Sequence, residues 1–198
     1  MGNVYQTMET TTKTDLSISM EKANVYSLAI ALPVALLQIA GYSLRWGSTA
    51  IVEGFNSFFG NFLFFLVIFF LGVILHELIH GFTWMLFSQK PFSAIKFGFQ
   101  VKTFTPYAHC KEPMKINPYR IGAAMPGVLL GLLPALIGIW NGQGWLLAFG
   151  VLFTTAAGGD FLVLWLLRNV KGDKLVEDHP TQAGCYIIDD IPQALNIP

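Results

Sequence analysis

Residues 58–87 read FFGNFLFFLVIFFLGVILHELIHGFTWMLF. This run is longer than the roughly 20 apolar residues a helix needs to cross a bilayer. Its apolar character breaks at His76-Glu77-Leu78-Ile79-His80. Ionisable groups in a membrane helix are costly, and where they occur they mark function. On a helix, positions four apart lie on one face, one turn apart. His76 and His80 are therefore able to offer two imidazole nitrogens to one tetrahedral zinc. Glu77 stands on the adjoining flank, within reach of a water at the metal without being a ligand.

The rest of the chain agrees with a membrane setting. Of 198 residues, 54% are apolar and only 12% charged, against about 25% charged in ordinary soluble domains. A solvated globule and a disordered chain are both excluded. Basic and acidic residues balance at 12 each, so there is no electrostatic footprint for nucleic acid. Three further apolar runs, residues 25–44, 121–140 and 145–167, are long enough to span. The expected fold is mainly α, a polytopic bundle of about four transmembrane helices. Asn141-Gly142-Gln143-Gly144 should close the last two into an antiparallel hairpin. In the third run Ala123, Gly127, Gly131 and Ala135 recur every four residues and make a smooth packing face.

Outside the runs, residues 1–24 are polar and are expected to be a flexible cytosolic tail, with residues 25–170 as the membrane-embedded domain and residues 171–198 as a C-terminal tail. Residues 92–100 and 102–108 alternate enough to predict a small β-hairpin between the second and third spans. Cys185-Tyr186-Ile187-Ile188 is a candidate strand. Eleven of the 12 lysines and arginines fall on one side and only Arg45 on the other. The positive-inside rule then puts both termini in the cytosol, and size and style suggest a bacterial plasma membrane.

A catalytic zinc needs a third protein ligand and an open position. Asp160 is the expected third ligand. It lies seven residues before the end of the fourth run, as His80 does before the end of the second. At about 1.5 Å per residue the two share a depth of roughly 10 Å. Ala156-Ala157-Gly158-Gly159 removes side-chain bulk beside it. His109, Asn117 and Arg120 are candidates for contacting substrate. The last two could equally cap a helix at the lipid interface. His109, Cys110, His179 and Cys185 match no compact zinc motif.

His76-Glu77-Leu78-Ile79-His80-Gly81 in a membrane helix, an intervening hairpin, a proline-containing span and then Asp160 resemble the site-2 class of intramembrane zinc metalloproteases. More narrowly the chain resembles the small bacterial zincin peptidases of the DUF3267 family. The resemblance implies His76, His80 and Asp160 as ligands and Glu77 as general base. Asp160 follows Gly158-Gly159 here, whereas the site-2 class has a Leu-Asp-Gly context. The expected function is a zinc-dependent endopeptidase acting on membrane-anchored protein substrates, with lipid as surroundings. The alternatives are a catalytically silent zinc-binding scaffold and, last, a transporter or proton relay using Glu77 and Asp160.

Overall fold

The computed structural model describes residues 12–101 and 105–188. It is mainly helical, with two small antiparallel sheets. Helix α1 (Met20–Trp46) is followed after Gly47 by a short α2 (Ser48–Phe59). Helix α3 (Phe62–Ser88) leads through one 3₁₀ turn into strands β2 (Ile95–Gln100) and β3 (Thr105–Cys110). Strand β4 (Met114–Lys115) opens a long helix, Ile116–Asn141, made of α4 (Ile116–Pro126), a π-helical turn (Gly127–Leu132) and α5 (Leu133–Asn141). Helices α6 (Gly144–Ala156) and α7 (Gly158–Leu167) precede β5 (Leu175–Asp178) and β6 (Ala183–Ile188).

Three helices are long and apolar enough to cross a membrane: Met20–Trp46, Phe62–Ser88 and Ile116–Asn141. The pair α6–α7 makes a fourth if its 48° bend counts as one broken span. The second apolar run is divided, because Gly60-Asn61 interrupts it. The Asn61 side chain accepts the Phe64 N–H at 3.0 Å and so starts α3 afresh. The third helix begins at Ile116, five residues before its apolar run, since Pro118 is tolerated in a first turn. Pro134 has no N–H to give the carbonyl four residues back, and the ladder there shifts to the wider π register. At the tight turn Gly142 adopts φ 73°, a left-handed conformation that suits glycine.

Small residues set the helix spacing. The face predicted from Ala123, Gly127, Gly131 and Ala135 meets α6 and α7: Phe161 lies over Gly127, Thr154 over Gly131, and Ala135 against Gly150. The indole of Trp84 on α3 fills the space over Gly122 on α4. On α2, a Cβ at Gly54 would stand 2.4 Å from the Gly144 Cα.

Both sheets sit at one end of the bundle. In the larger, the order is β1-β6-β5-β4, where β1 is Lys13–Ile18. That strand falls inside the stretch expected to be a tail. Leu16 and Ile18 alternate with Asp15 and Ser17, a pattern too short to stand out in a polar stretch, and the partner β6 lies at the far end of the chain, with Lys13 opposite Ile188. Strands β5 and β6 likewise lie in the expected C-terminal tail, β6 enclosing the candidate strand at Cys185–Ile188. Residues 1–11 and 189–198 of those tails lie outside the described residues. In the smaller sheet β2 and β3 pair antiparallel, from Ile95 opposite Cys110 to Gln100 opposite Thr105. Residues 92–94 of the expected hairpin form the 3₁₀ turn, and residues 102–104 lie outside the described residues. Ile95 and Phe97 reach over Gly81, seating the hairpin on α3.

The Gly54–Gly144 crossing gives a direct test of this packing. Gly54→Val should lower the stability of the detergent-purified protein by at least about 1–3 kcal/mol, because backbone cannot move aside. Gly159→Ala should be neutral in the same thermal unfolding measurement, its nearest neighbour being the Ser27 Oγ at 3.9 Å.

Candidate metal centre

Helix α3 carries His76, Glu77 and His80 on adjoining turns, and the first turn of α7 carries Asp160. The break at Ala157 turns α7 so that this carboxylate faces α3. His76 Nε2 lies 3.0 Å from Asp160 Oδ2, and His80 Nε2 lies 3.2 Å from Asp160 Oδ1. The histidines are 9% and 6% exposed. These three are the only group among the described residues whose His, Cys, Asp or Glu atoms converge closely enough to hold a metal ion, within 4.8 Å of one another.

The donor set fits zinc. Ligands at about 2.0–2.1 Å around a tetrahedral zinc are separated by roughly 3.3 Å, close to the spacings seen here. His80 Nδ1 lies 2.9 Å from the Gly122 carbonyl oxygen. A proton on Nδ1 donated to that carbonyl leaves the Nε2 lone pair free for a metal. The His80 ring stacks on Trp84, and Trp84 on Tyr119, with centroids 5.4 and 5.7 Å apart. Two imidazoles and one carboxylate also leave a fourth position without a protein group among the described residues.

Glu77 does not join the cluster but lines the same cavity, which measures about 570 Å³. The Ala108 backbone N–H on β3 faces its carboxylate. In an antiparallel pair, the N–H and C=O of one residue point to the same side. The Cys110 N–H reaches Asp178 Oδ2 at 2.9 Å while the Lys111 N–H bonds back to Ala94. Pro106, Ala108 and Cys110 therefore turn their backbone to the edge of β3 away from β2.

The remaining candidates separate. His109 lines the cavity, its Nδ1 3.3 Å from Asp178 Oδ2. Asn117 is exposed, packs beside Gly172 and lines no part of the cavity. Arg120 also lies off the cavity and gives its guanidinium to the carbonyls of Leu167 and Val170, closing the end of α7. Cys110 and Cys185 are buried free thiols. Burial pushes Cys110 up and Cys185 to about 12. Neither joins a second metal cluster among the described residues.

Sequence reasoning missed Asp178, which has no motif around it. Its carboxylate accepts the Tyr119 hydroxyl at 2.6 Å and the Cys110 N–H, and faces His109. Trp84 was legible in principle, standing one turn beyond His80 on the same helix face.

A family model described as putative zincin peptidase, DUF3267, matches residues 69–175, just over half of the chain. The chain belongs to the DUF3267 family. The matched stretch contains His76, Glu77, His80 and Asp160, and family membership supports a metallopeptidase with zinc at that coarse level. No curated protein and no solved structure matches the chain.

Asp178→Ala should cost about 2–4 kcal/mol, because it strands a buried Tyr119 hydroxyl and the Cys110 N–H. Alkylation of Cys110 and Cys185 with rising denaturant reads this out: both thiols should be inert when native and react at lower denaturant in the variant.

Proposed function

We propose that this member of the DUF3267 family is a zinc-dependent intramembrane endopeptidase that hydrolyses peptide bonds of membrane-anchored proteins. The observation that carries the reading is the convergence of His76, His80 and Asp160 on one point, with Glu77 and an open strand edge in the same cavity. Bound among those three donors, zinc supplies Lewis-acid polarisation of a carbonyl and brings the pKa of water to about 7.

The chain's own residues do the rest. Glu77 takes the proton of the attacking water and delivers it to the nitrogen of the leaving amine. The Ala108 N–H orients that carboxylate. Gly122 and Trp84 hold His80 in the tautomer and angle a ligand needs. A substrate chain locally freed from its helix lies along the Pro106–Ala108 edge of β3 as an added strand. Phe69, Val73 and Phe153 form the apolar end of the cavity and exclude bulk water. His109 lies on the substrate side of the cavity, whereas Asn117 and Arg120 belong to packing and helix closure. The end of the bundle with the sheets faces the cytosol, in keeping with the eleven basic residues on that side. The absence of a fourth metal-binding group in the cluster, among the described residues, counts against the silent scaffold.

Metal analysis of detergent-purified protein should find about one zinc per chain, lost in the double variant His76→Ala/His80→Ala and weakened in Asp160→Ala. In reconstituted vesicles Glu77→Gln should lower peptide cleavage by at least about 10²-fold while keeping the zinc. Undiminished cleavage by Glu77→Gln would rule this mechanism out.

A further inference from the structure

The cavity has two unlike walls. Toward the middle of the bundle it is lined by Phe69, Val73 and Phe153. Toward the sheets it is lined by the edge of β3 at Pro106 and Ala108 and by one face of the β2–β3 hairpin. Cross-strand partners share a face. Lys96 is opposite His109, and Gly98 opposite Tyr107. Lys96, Gln100, Tyr107 and His109 all border the cavity, while Ile95 and Phe97 on the other face lie on α3.

Lys96 differs from the other lysines around the hairpin. Lys90 is paired with Glu112, and Lys111 is bonded to the Ser93 carbonyl. Lys96 has no carboxylate partner among the described residues and is the one lysine or arginine among those lining the cavity. The nearby acid, Asp178, is already engaged by the Tyr119 hydroxyl, the Cys110 N–H and His109. That contact engages His109 at Nδ1, and His109 itself borders the cavity.

We infer that Lys96, with His109 beside it, forms a subsite that selects an acidic side chain on the flank of the substrate's apolar segment. The inference rests on the peptidase reading and names its substrate class: an apolar stretch followed directly by Asp or Glu. In the proposed orientation this flank lies on the side where membrane proteins ordinarily carry Lys and Arg. Lys96 repels those, so one charge both attracts the right segment and rejects the common one.

The test is binding, measured so that it does not depend on cleavage. Full-length Glu77→Gln protein in detergent is titrated with fluorescent single-span peptides. They differ only in having Asp, Asn or Lys at the first, second or third position beyond the apolar segment. The Asp peptide should bind about fivefold tighter than Asn at one of these positions, as expected for a solvent-accessible ion pair, and Lys should bind more weakly. The preference should shrink with salt. Lys96→Met should equalise Asp and Asn, and Lys96→Glu should reverse their order. Lys96 is exposed, so neither change threatens the fold. Equal binding of Asp and Asn at all three positions, a preference that survives Lys96→Met, or no binding of any peptide would overturn the inference. Cleavage of the Asn peptide by the unmodified protein separately reports on the peptidase reading, which stands or falls without this subsite.

Discussion

A carboxylate held between two imidazoles, inside helices whose outer surfaces are Phe and Leu, is the constraint on which this structure turns. Asp160 stands 3.0 and 3.2 Å from the two histidines. In a low-dielectric interior an unpaired charge costs several kcal/mol, so α3 and α7 are bound to one arrangement at this level. Removing either partner leaves the other stranded. A metal ion held by these three groups would supply the positive charge the carboxylate needs. The donor groups that pair with one another here are thus those that suit a zinc.

Much of the helical architecture follows from bringing that carboxylate to those rings. Helices α6 and α7 bend by 48° at Ala157, where Ala156 to Gly159 present no bulk. Across from the bend, Gly127 and Gly131 accept Phe161 and Thr154, and the π turn lies in the same stretch. Gly122 admits the Trp84 indole, and the Gly122 carbonyl meets His80. A single glycine thereby sets both the α3–α4 spacing and the orientation of an imidazole.

Legibility in the sequence tracked how local the cause was. The apolar runs were readable because lipid demands them residue by residue, and the His76–His80 spacing because helix geometry needs only four positions. Asp160 was reachable through depth, which is arithmetic along two helices. Strand β1 shows only a short alternation, Leu16 and Ile18 between polar residues, and its stability comes from pairing Lys13–Ile18 with β6, more than 160 residues away. The break at Gly60-Asn61 was hidden by apolar residues on both sides. Asp178 looks like any surface acid until the fold brings Tyr119, Cys110 and His109 around it. Arg120, at the mouth of a span, reads equally well as a substrate contact or a cap, and only the position of the Leu167 and Val170 carbonyls decides.

The family match ends at residue 175, yet the cavity does not. Met20, just beyond β1, and the turn from His179 to Gly184 form part of its wall. Asp178, also beyond the match, holds His109, which lies within it. His76, Glu77, His80 and Asp160 therefore lie within the matched stretch, whereas part of the cavity wall comes from outside it. Strands β1, β5 and β6 form a sheet that bridges the two ends of the chain over this opening. This sheet is joined to the imidazole–carboxylate contact: Asp178 on β5 accepts the Tyr119 hydroxyl, Tyr119 stacks on Trp84, and Trp84 backs His80, so the mouth of the cavity and the groups beneath it are held as one packed unit.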